Sequence, residues 1–494
     1  MVSLKKGVER VLTIEQIQSF INNDKTSQRK QRALVGERYY EGEHDIRNYK
    51  LYYYDNEGNL KPEKSKSNIK ISHPFFTELI DQKIQYLFSG DGYFFKSKNP
   101  ELQAILDERL NENEDFKCAI EESSTDASSK GFGWLYVFRD SEGKLAYQCA
   151  DTMGVVEVRA KETQDNCDYI IYWYVDRVNK DNKKIKKIQV WNDNLVWFYT
   201  QIDNETMVLD ETEALNPRPH SIYKYEGQEG KFGENFGFIP FLRLDNNRKQ
   251  ISDLKPIKEL IDDYDLMACG LSNNIQDASE YLVVVKGFEG GSLDELSQNI
   301  RTKKQIGVGD GGDVDFKTID IPYQARQTKL DLDEKNIYRF GMGFNSAQVG
   351  DGNLTNIVIK SRYALLDLKC NKFETQLRKL LRKVLKIVLD DVNHELGTAY
   401  QVKDVYIELE REVMTNASDN AQIDLTNAQV EQTRINTLLN LASMLDNETI
   451  VQSICEILDY DYEDLKDRLP IDETDLTEIQ GQIGNIAIDE GEIN

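Results

Sequence analysis

The chain has 494 residues, with 61 Lys and Arg against 86 Asp and Glu, which gives a formal net charge of −25. No apolar run approaches the roughly 18–20 residues that cross a bilayer, so we expect no membrane partner. The six cysteines stand singly without a CxxC pair, and the N-terminus lacks the apolar core of a signal peptide. These features predict a cytosolically made, multidomain protein with reduced thiols and no zinc site.

The N-terminal part is predicted to be largely helical. We expect helices over 13–42, with Thr13 as a possible N-cap, over 74–89 and over about 100–129. Residues 1–70 hold fourteen bases and ten acids, so this arm is mildly basic within an acidic chain. It also contains a tyrosine cluster, which favours packing or an interface over a base-stacking platform. Its members are Tyr39, Tyr40, Tyr49, Tyr52, Tyr53 and Tyr54.

The chain changes character at Gly131. Alternating aromatic and β-branched residues predict a β-meander over about 131–245. A long helix is then expected to begin at Ser252, with Pro256 in its first turn. Two strands, a turn and a short helix follow over 281–322, and a second helix is predicted over about 323–340.

A glycine-rich break at 341–356 precedes the longest predicted helix, 356–396. A strand is expected at 402–410 and helix again over 417–469, and the last 24 residues hold seven acids and no base. Bases outnumber acids nine to five on the long helix, which indicates a solvated face or a surface near a polyanion. Its apolar stripe is Leu377, Leu381, Val384, Leu385 and Val388.

No motif assembles a catalytic site. Gly307, Gly309 and Gly312 satisfy GxGxxG, but a strand pattern follows where a phosphate-binding loop would open a helix, so a hairpin turn is the better interpretation. There is no GxxxxGK[ST], HExxH or GxSxG, and the nearby aspartates do not match a calcium loop. We therefore expect no enzyme, cofactor or metal.

The order of segments resembles that of the portal proteins of tailed double-stranded-DNA bacteriophages, of the siphophage type of Gram-positive hosts. The similarity begins with IPFLRLDNNRKQISDLKPIKELIDDYDLMACGLSNNIQDAS from residue 239. It continues through the β-rich insertion and returning helix at 289–340. The loop and helix GFNSAQVGDGNLTNIVIKSRYALLDLKCNKFE follow at 343–374. The resemblance spans roughly 30–410, and its specificity lies in the order of the segments.

The resemblance implies an α+β fold with wing, stem, clip and crown that assembles into a ring. The wing would comprise 1–250, including the β-rich part 131–245. The segments after it are a stem helix 251–280, a clip 281–322, a second stem helix 323–342, a tunnel loop 343–355, a long wing helix and strand 356–415, a helical crown 416–470 and an acidic tail 471–494.

Candidate functional residues follow from those segments. The first stem helix would present a negative wall that repels phosphates, and the tunnel loop would present polar groups to sliding DNA. The acidic stem residues are Glu259, Asp262, Asp263, Asp265 and Asp277. The tunnel-loop residues are Asn345, Ser346, Gln348, Asp351, Asn353 and Thr355. Possible DNA-proximal bases are Lys360 and Arg362, and clip docking residues are Lys286, Phe288, Lys303 and Lys304.

The implied partners are other copies of the chain, twelve to a ring, and duplex DNA in the channel. Terminase large subunit, scaffold and major capsid proteins and a head–tail adaptor would dock on the outside. The implied location is the portal vertex of the virion. Two alternatives stay open from the sequence: a metal-dependent nucleic-acid-processing enzyme, and a cytosolic scaffold unrelated to phage.

Overall fold

The computed structural model describes most of the chain between residues 12 and 462. The described residues are 12–55, 57–64, 66–90, 92, 94–159, 167–178, 183–203, 205–223, 232–278, 282–288, 292, 308–317, 323–345, 356–412, 417–441, 447–458 and 462. The described residues mix helix and strand, as expected of an α+β protein.

The helices dominate both ends of the described chain. They are α1 (Ile14–Thr26), α2 (Gln28–Tyr40), α3 (Phe75–Leu87), α4 (Pro100–Leu106), α5 (Glu114–Lys130), α6 (Lys258–Ala278), α7 (Tyr323–Gly341), α8 (Asn356–Leu396), α9 (Ala417–Asn440) and α10 (Asn447–Ile457). The helical stretch expected over 13–42 is confirmed as two helices, because the chain breaks at Ser27. Ser27 has extended backbone and accepts a hydrogen bond from the Lys30 N–H as the N-cap of α2. Thr13 is confirmed as the N-cap of α1.

The strands form short hairpins at the ends and two larger sheets in the middle. They are β1 (Tyr52–Tyr54), β2 (Leu60–Pro62), β3 (Phe95–Lys96), β4 (Phe132–Arg139), β5 (Leu145–Ala150), β6 (Val155–Val158), β7 (Tyr169–Val178), β8 (Lys184–Trp191), β9 (Leu195–Ile202), β10 (Val208–Leu209), β11 (Arg218–Pro219), β12 (Ser221–Tyr223), β13 (Phe232–Glu234), β14 (Phe241–Asp245), β15 (Leu282–Phe288), β16 (Val308–Lys317) and β17 (Tyr406–Ile407).

The β-rich character predicted for 131–245 is confirmed, but its strands do not form one meander. The larger antiparallel sheet has the order β10-β9-β8-β7-β6, with β11 also paired to β9, while β4, β5 and β14 form a separate sheet. One face of the larger sheet packs against Ile17 and Ile21 of α1. The other face packs against Ala33 of α2 and against Trp134 of the second sheet, β14-β4-β5. The alternation of strand side chains between two buried faces explains the run of apolar and aromatic residues in this region.

Helix α5 ends where the second sheet begins. Gly131 closes the helix with a φ of +98°, a left-handed conformation that favours glycine. A Cβ there would lie 2.6 Å from the carbonyl oxygen of Gln250, so the chain also needs glycine for the close approach. This contact holds the β14–α6 connection against the end of α5.

Helix α6 begins at Lys258, and the prediction that it begins at Ser252 is wrong. The Ser252 hydroxyl donates to the carbonyl of Ser129 at 2.5 Å and accepts from the Leu254 N–H at 3.1 Å. Residues 253–257 therefore form a turn fastened to α5, and the helix starts after it. Helices α2, α3, α6 and α7 then share one apolar core, in which Phe76, Ile261 and Ile337 are fully buried.

The connection between α6 and α7 contains the antiparallel hairpin β15–β16. The prediction of a turn over the GxGxxG glycines is wrong for Gly309 and Gly312, which lie inside β16, and Gly307 lies outside the described residues. The pairing shifts between Lys286 and Phe288, and a Cβ on Gly312 would lie 2.8 Å from the Lys286 carbonyl oxygen. The glycines thus permit a β-bulge.

The long helix and its apolar stripe are confirmed. All five predicted stripe residues of α8 are buried. The strand expected at 402–410 is shorter, because a 3₁₀ turn occupies Val402–Asp404 and only Tyr406–Ile407 pairs, with β3.

The chain divides into two compact units. The first comprises residues 1–350 and 362–412, and the second comprises residues 351–361 and 413–494. In the second unit, α9 and α10 are the described helices after residue 412. Within the described part of the chain, no helix is both long and apolar enough to cross a membrane.

Candidate functional site

The first residues of the loop that follows α7 form a clamped base, which means that neighbouring helices hold them in place. The Gln82 side chain of α3 donates to the Phe344 carbonyl oxygen at 2.8 Å and accepts from the Phe344 N–H at 3.3 Å. Gly341 and Gly343 lie against Leu79, whose methyl carbons would be 2.6 and 2.3 Å from a Cβ at those positions. The absence of a side chain on both glycines therefore lets the chain pass directly over α3.

Aromatic and charged groups complete this clamp. The Phe344 ring packs on Tyr363 of α8 at 4.8 Å between ring centroids, and Tyr363 packs on Tyr86 at 5.2 Å. Lys369 donates to the Gly341 carbonyl oxygen at 2.9 Å, and the Asn345 amide donates to the Glu334 carboxylate. The departure point of the loop is thus fixed by α3, α7 and α8.

The remaining tunnel-loop residues cannot be placed in this geometry. Ser346, Gln348, Asp351, Asn353 and Thr355 lie outside the described residues. Asn345 is described, and it is held by α7 at the fixed end of the loop.

The acids of α6 are largely paired within the chain. Asp262 accepts hydrogen bonds from the Tyr39 hydroxyl and from Lys258. Asp263 pairs with Lys329 of α7, and Glu259 is exposed. Lysines therefore neutralise two of the carboxylates that the sequence predicts for the negative wall.

Asp265 is the clearest departure from the sequence-based expectation. Its side chain is fully buried, with its Oδ2 2.6 Å from Nδ1 of His44 and its Oδ1 2.7 Å from Nδ1 of His73. Burial acts to raise the pKa of Asp265, but the hydrogen bonds from His44 and His73 outweigh it and hold the pKa below its usual value. The prediction that Asp265 belongs to an exposed acidic wall is therefore wrong.

Asp265 is one end of a regular ladder between α6 and an extended segment, residues 67–73. Four side chains spaced one helical turn apart accept hydrogen bonds from alternate backbone N–H groups of that segment. The pairs are Asp265 with His73 at 3.0 Å, Cys269 with Ile71 at 3.2 Å, Asn273 with Ile69 at 2.6 Å and Asp277 with Ser67 at 3.1 Å.

The spacing of the four side chains along α6 matches the spacing of the N–H groups along the extended segment. Four helical residues rise about 6 Å, and two extended residues advance about 6.6 Å, so the segment stays in register with the helix over three steps. The sequence carries the signal as D-x3-C-x3-N-x3-D, which we did not recognise as an acceptor row because it has no apolar periodicity. Asp277, predicted to line the acidic helix, is thus also an anchor for the backbone.

A buried lysine of α3 joins α5 and the β14–α6 connection near the loop base. Lys83 of α3 is fully buried, and its ammonium donates to Ser128 at 2.8 Å, to Asn246 at 3.0 Å and to Asp253 at 3.0 Å. Lys369 of α8 lies 3.2 Å from the same Asp253 carboxylate. Burial acts to raise the pKa of Asp253, but Lys369 and Lys83 outweigh it and hold the pKa far below its usual range.

The bases of α8 divide into paired and exposed groups. Lys360 is exposed, and Arg362 lies two residues further along the same helix. Lys369 and Arg378 are engaged with groups of the chain itself, at Asp253 and Glu374 respectively. The other exposed bases fall at helical spacing on one side: Lys372, Lys379, Arg382, Lys383 and Lys386.

The clip candidates are only partly described. Lys286 is exposed on β15, opposite Asp313 of β16, and Phe288 is paired with Val308 across the bulge. Lys303 and Lys304 lie outside the described residues. Among the residues that the structure describes, no three His, Cys, Asp or Glu side chains converge into a metal-binding group.

Comparisons with known proteins place this geometry in a family. Residues 19–467 match the family described as phage portal protein, SPP1 Gp6-like. The portal protein of Bacillus phage SPP1 is 29% identical over 350 residues, covering 71% of this chain and 68% of that protein. The portal protein of Clostridium phage phiCD119 is 24% identical over 437 residues, covering 86% of this chain and 92% of that protein.

Phage portal proteins are virion components that form oligomeric rings, and the family is in general structural rather than enzymatic. The match covers the helix pair α6 and α7, both ends of the loop between α7 and α8, and the β-rich region. It decides in favour of a phage portal function over the two alternatives raised by the sequence. The chain therefore belongs to the SPP1 Gp6-like family of phage portal proteins.

Proposed function

We propose that this protein is the subunit of a ring, of twelve copies in the virion, through which duplex DNA passes during packaging and ejection. The observation that supports the proposal is the continuous family match over 19–467, which includes every element from α2 to α10. The ring occupies the portal vertex of the capsid, and the subunit is made in the cytoplasm of the host bacterium.

Within the subunit, we assign the stem to residues 251–280 and 323–342, which contain α6 and α7. The wing comprises 1–250 and 356–415, the clip 281–322 and the crown 416–470. This assignment is supported by the shared core of α6 and α7 with α2 and α3, which ties the stem to the wing. The acidic segment 471–494 follows the crown.

We assign the tunnel loop to 343–355 and its role to guiding DNA. The clamped base at Phe344 gives the loop a fixed origin, and its polar side chains carry one acid and no Lys or Arg. Most of the affinity of a protein for a DNA backbone comes from Lys and Arg, so such a lining lets phosphates slide past. Lys360 and Arg362, just after the loop, are the proposed DNA-proximal bases.

We assign the clip to docking of terminase large subunit and later of a head–tail adaptor. The hairpin β15–β16 forms a two-stranded sheet in the described residues, and a two-stranded sheet is marginally stable alone in water. Half-buried Val285 and Val314 face each other across it, beside the exposed pair Lys286 and Asp313. Apolar residues in a sheet this thin favour a partner surface. Scaffold and major capsid proteins would contact the wing.

The proposal is tested by imaging the purified protein. We expect closed rings with a central hole wide enough for B-form DNA in negative-stain images, because a heterologous interface between identical subunits closes when its rotation is a simple fraction of a turn. The protein should be examined over a range of concentration and salt. A protein that stays monomeric under all of them would contradict the ring.

A further inference from the structure

The chain between α2 and α3 forms an arm, residues 43–73, that ends in the hairpin β1–β2. All six residues of its two strands are exposed. An isolated two-stranded hairpin is marginally stable in water and normally needs a surface to pack against. Nothing in the described part of the chain covers the hairpin, so its faces are available to a partner.

One face of the hairpin is aromatic and apolar. The register places Tyr52 opposite Pro62 and Tyr54 opposite Leu60, and these four side chains share a face because side chains alternate along a strand. The exposed fractions are 50% for Tyr52, 73% for Tyr54 and 56% for Leu60. Tyrosines at the centre of an exposed apolar patch are typical of protein–protein contacts.

Basic residues surround the apolar patch. Residues 47–70 hold six bases and three acids, a net charge of +3, which leaves −28 on the rest of the chain. All six bases are exposed. Lys61 pairs with Asp55 at 2.8 Å, whereas Lys50, Lys64 and Lys66 form no ion pair with any described residue. An aromatic centre with a charged rim is the usual anatomy of an interface.

The arm is held in position on α6. The ladder from Asp265 to Asp277 binds the returning segment 67–73, and Lys258 binds Asp45 at 2.7 Å on the outgoing side. The hairpin is therefore presented on two anchored connections. A surface fixed before binding loses less conformational entropy when its partner arrives.

We propose that the hairpin β1–β2 of one subunit docks on the acidic surface of the neighbouring copy and helps to close the ring. The inference rests on the proposed ring. Copies that each carry −25 repel one another, and the arm is a basic, aromatic element able to offset that repulsion locally. Duplex DNA is the less suitable occupant, because its stacked bases offer no partner to Leu60 and Pro62.

The test compares assembly of the full-length protein with that of two double variants. We expect Tyr52→Ala with Tyr54→Ala, and separately Lys64→Glu with Lys66→Glu, to raise the protein concentration at half-assembly about tenfold, equivalent to the loss of a modest hot spot. The controls are Leu215→Ala with Tyr406→Ala, exposed by 53% and 52%, and Lys249→Glu with Lys403→Glu. Sedimentation velocity measures assembly, and unchanged circular dichroism shows that the variants fold.

A second measurement uses the wild-type chain. Isotope-labelled and unlabelled copies are mixed before assembly and treated with a carbodiimide, and we expect crosslinks that join arm lysines of one copy to carboxylates of another. Rings that form equally well from all variants, with arm crosslinks only within a copy, would overturn the docking and leave the ring standing. A wild-type chain that forms no ring would overturn both. Normal assembly with loss of DNA retention by the lysine variant would overturn the proposal in favour of DNA.

Discussion

Replacing Lys83 by methionine is expected to lower the free energy of unfolding by about 3 kcal/mol, at the low end of the range for breaking a buried ion pair. The substitution removes three hydrogen bonds, to Ser128, Asn246 and Asp253, from a fully buried position. It also removes the ammonium that lies 4.1 Å from the Phe373 ring centroid. Lys369 remains beside Asp253 and keeps the loss from being larger.

The midpoint of urea unfolding, followed by tryptophan fluorescence, measures this effect. Lys372→Met on the exposed side of α8 is the matched control, and surface substitutions of that kind change stability by about 0.5 kcal/mol or less. Equal urea midpoints for the two variants would mean that the Lys83 ammonium does not stabilise the contacts of α3 with α5, the β14–α6 connection and α8.

Adding positive charge to the tunnel loop is expected to stop DNA from sliding. Asn345→Lys with Gln348→Lys gives each subunit two bases, and cations bind the phosphate backbone with an affinity that falls steeply with salt. We expect the packaging rate to drop by on the order of tenfold at low salt and to recover partly as salt is raised. The rate of DNA uptake into empty heads measures the effect.

The matched control carries glutamate at the same two positions. Glutamate changes size and polarity similarly but repels phosphate, so packaging should proceed close to the wild-type rate. Because Asn345 is tied to Glu334, Gln348→Lys alone separates the effect of added charge from loss of that hydrogen bond. Wild-type packaging by the lysine variant, with rings intact, would show that the loop does not face the DNA.

The parts of the fold that the sequence predicted well are those with a clear apolar periodicity. The stripe of α8, spaced at three and four residues, is buried as expected, and the alternating residues of 131–245 form strands as predicted, although in more than one sheet. Such patterns report burial directly, because one face of each element must leave water. The start of α6 was misplaced because Ser252 has the side chain of an N-cap but uses it on Ser129.

The polar contacts could not be predicted in the same way. Asp265 and Asp277 look like surface acids in the sequence, yet they hold His73 and Ser67 across about 200 positions of chain. Their partners are backbone N–H groups of an extended segment. Almost any residue type supplies such a group, so the sequence does not reveal the contact. The charge of a helix in the folded protein therefore depends on contacts that composition does not reveal.

Photocrosslinking can measure directly whether DNA touches the loop. A photoreactive benzophenone amino acid is placed at Gln348, the variant is assembled into heads with packaging stalled part-way, and the particles are irradiated. We expect crosslinks from residue 348 to DNA, whereas a control at Leu215, 53% exposed, should yield far fewer. Crosslinks from residue 348 to protein alone, in heads shown to hold DNA, would contradict a channel lined by this loop.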